Sequence, residues 1–139
     1  MPKEVIMPTD PTDLIKAILA NYSLEAGNIH HPAPTNWDEF AAVFIFKDDF
    51  DSITSTGFAY EGEEFVGFFI PDSTVVDKKV RAYRAAMTSE SGEMAVSIAV
   101  QFNRDSGRYK TLFEFDDPKR WDDTPRRWEI RADLRPNLA

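Results

Sequence analysis

Carboxylates are the main chemical resource of this 139-residue chain. Nine of its 24 acids fall between Asp38 and Asp72: Asp38, Glu39, Asp48, Asp49, Asp51, Glu61, Glu63, Glu64 and Asp72. Lys47 is the single base in that stretch, so one quarter of the sequence carries the whole formal net charge of −8. Phe and Tyr residues interleave with the acids. A concentrated negative field repels nucleic acid and anionic membranes and attracts a basic partner. Asp49-x-Asp51 and Glu61-x-Glu63-Glu64 offer oxygen ligands of the kind that hold Ca²⁺ or Mg²⁺. Their spacing completes no twelve-residue calcium loop, so no metal is assigned. The plain alternative is a solvated surface that keeps the protein dispersed.

Other groups carry less. His30-His31 are the only imidazoles, adjacent and set among prolines, with no nucleophile motif beside them. Asp116-Asp117 and Asp122-Asp123 could suggest paired acid–base carboxylates, but Asp117-Pro118 reads first as an ordinary turn start. Lys78, Lys79, Arg81 and Arg84 are four bases in seven residues. That density is usual for a solvated helix face, and the acidic stretch opposes a nucleic-acid role. Trp121 and Trp128 read as covers for the edge of the core. There is no Gly-rich phosphate loop, zinc signature or dinucleotide fingerprint. The chain contains no Cys, which excludes disulfides, thiolate metal sites and a Cys nucleophile. No catalytic residue and no cofactor is assigned.

A chain of this length implies one domain with room for a core. No stretch approaches the roughly 18 apolar residues of a membrane span. The start, Met1 to Pro8, lacks the apolar centre of a secretory signal. The expectation is a soluble cytoplasmic protein with a flexible leader over 1–10 and a single domain over 11–139.

The elements that must position the acids follow from pattern. Asp10-Pro11-Thr12-Asp13 reads as a helix start with Asp10 as cap, and Leu14, Ile15, Ile18, Leu19 and Tyr22 form its apolar stripe. Phe40–Phe46 is a continuous apolar run, short enough for a strand buried on both faces. A second strand is expected over about 57–60 and a third over 65–70, joined by a hairpin turn at Glu61-Gly62-Glu63-Glu64. Thr74 with Asp77 suggests a capping box for a second helix. That helix carries Val76, Val80, Tyr83 and Met87 on one face and ends at Gly92.

Met94, Val96, Ile98, Val100 and Phe102 alternate with small or polar residues, which predicts a strand with one buried face. A turn over 103–107 and a partner strand carrying Tyr109, Thr111, Phe113 and Phe115 complete a hairpin. Trp128, Ile130, Ala132 and Leu134 fit strand spacing. Thr124-Pro125 is a helix cap and first turn, and the helix reading is preferred through about Leu134. The fold class is therefore α+β: an antiparallel sheet of about five strands with two main helices on one face, order α-β-β-β-α-β-β, and a short C-terminal helix.

The stretch Val100-Gln101-Phe102-Asn103-Arg104-Asp105-Ser106-Gly107-Arg108-Tyr109-Lys110-Thr111-Leu112-Phe113-Glu114-Phe115-Asp116-Asp117-Pro118 resembles the YezG-like family of immunity proteins. Its Ser-Gly turn, Lys-bearing strand and aromatic–acidic–aromatic–Asp-Asp close carry the likeness. Trp37 before the Phe40–Phe46 strand, and Phe69-Ile70-Pro71 before the second helix, agree with that family's order. The resemblance spans about residues 12–120. It implies a non-enzymatic antitoxin that binds and blocks a cognate polymorphic-toxin domain, often a nuclease with a basic cleft.

On that reading the expected partner-binding residues are Asp48, Asp49, Asp51, Phe58, Tyr60, Glu61, Glu63 and Glu64. The acids would gather on one docking face, with the aromatics as anchors. The partner would be a protein, with neither nucleic acid nor membrane bound. The alternative is a non-catalytic adaptor or regulatory subunit of some other protein.

Overall fold

The computed structural model describes residues 10–24, 36–48, 51–62, 64–121 and 127–138. The readings of the leader 1–9, His30-His31, Asp49, Phe50, Glu63, Asp122-Asp123, Thr124-Pro125 and the Trp128 side chain lie outside the described residues.

Phe40, Ala42, Phe44 and Phe46 point to one side of a central strand, while Ala41, Val43 and Ile45 point to the other. Both sets are buried, as the unbroken apolar run predicts for a strand covered on two faces. This strand, β2 (Glu39–Lys47), lies between β3 (Ser52–Glu61) and β5 (Ser97–Asn103). Outside β3 come β4 (Glu64–Phe69) and the two-residue β1 (Ser23–Leu24); outside β5 comes β6 (Tyr109–Glu114). The six strands run in the order β1-β4-β3-β2-β5-β6, and every neighbouring pair is antiparallel.

Two helices cover one face: α1 (Thr12–Asn21), through Leu14, Ile15 and Ile18, and α2 (Thr74–Ser91), through Val76, Val80 and Tyr83. The short α3 (Arg127–Asp133) covers the other face, where Ile130, Leu134 and Trp121 pack on Ala41, Val43, Phe58 and Tyr60. The chain is α+β with its two main helices on one face. The 127–133 segment is a helix, the preferred of the two readings. Among the described residues no helix is long and apolar enough to cross a membrane.

Several local expectations shift. Helix α1 begins at Thr12. Pro11 supplies the carbonyl for the first helical bond, from Ile15 N–H at 2.9 Å, and the Asp10 carboxylate accepts the Thr12 N–H at 2.8 Å. Thr74 is not the cap of α2 but its first residue. Asp72 accepts its N–H at 3.1 Å, while the Ser73 hydroxyl donates to Asp77 at 3.1 Å. The capping chemistry is present one or two residues earlier than the Thr74–Asp77 spacing suggests.

Gly92 ends α2 in the left-handed region, at φ 79°, as expected. Strand β3 starts at Ser52, five residues before Gly57, because Ser52-Ile53-Thr54-Ser55-Thr56 is polar yet still pairs with β2. Strand β5 starts at Ser97, and Met94 is exposed. Its second face is buried too, since Ser97, Ala99 and Gln101 lie under the C-terminal segment; Gln101 donates to the Leu134 carbonyl at 2.8 Å.

Gly57 is required where it stands. A Cβ there would sit 2.4 Å from the Ala41 carbonyl oxygen of β2. No side chain fits such an approach without moving a central strand.

Candidate functional site

Among the described residues the acids do not form one face. Asp48 and Asp51 flank the β2–β3 turn, and Glu61 and Glu64 flank the β3–β4 turn. Strand β3, ten residues long, separates the two turns. At the usual rise that is about 30 Å, several Debye lengths at physiological salt. The expectation of a single gathered patch is corrected by this topology: consecutive hairpin turns sit at opposite ends of the strand they share.

At the Asp48 end the two described carboxylates, Asp48 and Asp51, are each paired with an arginine of α2. Arg84 of α2 holds both Asp48 oxygens at 2.9 Å and gives its Nε–H to the Ala95 carbonyl at 2.7 Å. Its guanidinium stacks 4.0 Å from the centre of the Phe46 ring. The Arg84 hydrogen bonds hold the Asp48 carboxyl below its ordinary value. Arg81 pairs with the Asp51 carboxylate at 3.2 Å and donates to the Asp51 carbonyl at 3.1 Å. Asp51 takes φ 48°, a left-handed turn conformation that Asp tolerates. These contacts fasten α2 to the top of the sheet. Periodicity placed Arg84 off the apolar stripe, yet it is buried, at 9 % exposure. A lone arginine among solvated bases gives no sequence sign that it will turn inward.

The opposite end keeps its charge outward. Glu61 and Glu64 face each other in register across the hairpin, and Gly62 takes φ 58° in the loop between them. Glu64 is exposed and Glu61 half-buried. Two carboxylates directly opposed on one face repel, an arrangement with a cost to folding. Asp38 enters β2 at the same end, giving its N–H to Tyr60 O at 3.0 Å and accepting Arg104 N–H at 2.8 Å. Glu39 is different: it is buried and accepts from Asn103 Nδ2 at 3.2 Å and Leu138 N–H at 3.0 Å. It ties the C-terminal tail to the sheet. Nearby bases are occupied with rings: Arg104 lies 3.8 Å from Trp37 and Arg135 5.3 Å from Tyr60.

Phe58 and Tyr60 are not surface anchors. They are 0 % and 1 % exposed, inside the second core cluster, with Phe65 packed edge-on to Phe58. Strand alternation aims Phe58 and Tyr60 under the C-terminal segment, so an aromatic among acids in sequence is not an aromatic among acids in space.

Asp116-Asp117 belongs to a turn: Glu114 accepts the N–H groups of Phe115, Asp116 and Asp117 at 3.0–3.2 Å and pairs with Arg120 at 3.0 Å. The Asp116 and Asp117 N–H groups hold the Glu114 carboxyl below its ordinary value. An open cleft with a cavity volume of only about 30 Å³ lies between the end of α2 and strands β5 and β6, lined by Met87, Ile98, Phe113 and Phe115. It is below the roughly 300–1,000 Å³ of typical ligand pockets. Among the described residues no three of His, Asp and Glu gather as a metal-holding group.

Comparison with known proteins returns no match to any protein-family model and none to a curated protein.

Proposed function

We propose that this chain is a cytoplasmic immunity protein, an antitoxin that binds a basic toxin domain and occludes it without catalysis. The observation that carries the reading is the apposition of Glu61 and Glu64 at the hairpin end. Opposed carboxylates on neighbouring strands weaken a hairpin unless a cation answers them. A basic cleft built for phosphates supplies that cation from another protein. The docking surface is therefore narrower than the acidic quarter of the sequence. It consists of Glu61, Glu64 and Asp38, and leaves out the Asp48 and Asp51 carboxylates, which α2 already engages. Electrostatics of this kind steers association and selects the partner more than it adds net affinity.

Co-expression with the protein encoded by the adjacent gene, followed by pull-down and growth rescue, tests the proposal. A stoichiometric complex and restored growth are expected. A neighbour that is neither toxic nor captured would contradict it.

A further inference from the structure

Strand β6 is the long open edge of the sheet; the opposite edge, β1, has two residues. Backbone alternation fixes which groups of β6 are unpaired. Asn103 N–H donates to the Arg108 carbonyl at 2.9 Å, and the register continues as Gln101 with Lys110, Ala99 with Leu112 and Ser97 with Glu114. Arg108, Lys110, Leu112 and Glu114 thus turn their backbone towards β5. Tyr109, Thr111 and Phe113 turn their N–H and C=O groups outward. Among the described residues no strand pairs with that side. Tyr109 is also 45 % exposed, one of four large apolar side chains at the surface among the described residues.

We propose that β6 pairs antiparallel with β6 of a second copy of this chain, about a two-fold axis through Thr111. Only outward-facing residues can form hydrogen-bonded pairs across such an axis, and centring on Thr111 uses all three. Tyr109 then faces Phe113 of the second copy, Thr111 faces Thr111, and Lys110 faces Leu112. Arg108 and Glu114, of opposite charge, meet at each end. Centring on Tyr109 instead sets Arg108 against Lys110 and runs into the Gly107 turn; centring on Phe113 runs past the end of the strand at Glu114. The pairing is isologous, so it closes as a dimer. It places exposed Tyr109 against Phe113, which already stacks on Tyr83 and Phe115. Aromatic pairs facing one another across antiparallel strands stabilise the pairing. The inference does not rest on the proposed function, since the hairpin end carrying Glu61 lies on β3 and β4.

Sedimentation of the full chain over a range of concentrations tests it. The mass is expected to rise towards twice the 15.9 kDa of one copy. Thr111→Pro removes an outward N–H at an edge position that tolerates proline, and is expected to weaken self-association on the order of tenfold or more while the chain stays folded. The chain contains no Cys, so a single introduced thiol reports proximity. Thr111→Cys is expected to cross-link on oxidation, because hydrogen-bonded pairs place Cα atoms about 5.5 Å apart. Lys110→Cys is expected to cross-link poorly with itself, since Lys110 faces Leu112. A native chain that stays monomeric, a dimer unaffected by Thr111→Pro, or equal cross-linking by the two thiols would overturn the proposal. The thiol comparison decides the matter even where the proline variant fails to fold.

Discussion

The Arg84 guanidinium grips both carboxylate oxygens of Asp48 at 2.9 Å, across 36 residues of sequence. This pair, with the Ala95 carbonyl and the Phe46 ring, fastens the middle of α2 to the end of the central hairpin. Its arginine is buried and its aspartate faces water, so loss of either partner acts differently. Asp48→Ala leaves a largely buried guanidinium short of two acceptors and is expected to cost about 2 kcal/mol. Urea unfolding measures it, and Arg84→Met, which removes the charge but keeps much of the stem packing, is expected to cost less.

Acid stability follows from the same contacts. Hydrogen bonds from Arg84 hold the folded-state Asp48 carboxyl below its ordinary value, and backbone N–H groups do the same for Glu114. A depressed folded pKa contributes stability that is present above the unfolded pKa and lost as pH falls through the folded one. Unfolding free energy is therefore expected to be flat near neutrality and to decline below about pH 4, where unfolded carboxylates protonate. Asp48→Asn is expected to reduce that decline, as measured by urea melts from pH 7 to pH 3.

Gly57→Ala tests the close approach of β3 to β2. The added methyl meets the Ala41 carbonyl oxygen at 2.4 Å and the Ala42 Cα at 3.2 Å, all of it backbone of β2. The substitution is expected to cost about 3 kcal/mol, at the upper end for overpacking, and to appear as a lowered Tm.

Core and surface roles separate within one strand. Phe58→Ala is expected to cost about 4 kcal/mol through the cavity it leaves between the sheet and α3. Glu61→Lys, three residues away, is expected to leave stability unchanged or raise it slightly, because it replaces a repulsive cross-strand pair with an attractive one. Parallel thermal melts of the two variants check the contrast.

Periodicity made much of this architecture legible. The unbroken run Phe40–Phe46 marked the strand with two buried faces, and the turn glycines Gly62 and Gly92 marked where elements end. What escaped was long-range. Ser52–Thr56 is too polar to announce a strand, and pairing with β2 supplies the order that local pattern does not. Arg84 reads as one more helix-surface base until Asp48 and Ala95 arrive beside it from distant sequence. The acidic quarter misled for a related reason. Density along the chain suggested one patch, but strand direction sends alternate turns to opposite ends. Phe58 and Tyr60 were drawn into the site by neighbours in sequence, although strand alternation aims them at the core.

The Glu61–Glu64 end of the sheet is the surface proposed to receive a basic partner. The most direct measurement is the association rate with the proposed toxin partner, taken at several salt concentrations for three proteins. These are the native chain, Glu61→Lys/Glu64→Lys, and the control Glu90→Lys/Glu93→Lys at the C-terminal end of α2. The hairpin variant is expected to associate about tenfold more slowly and with a flattened salt dependence, and the control to behave like the native chain. Equal rates and equal salt slopes for all three would contradict it.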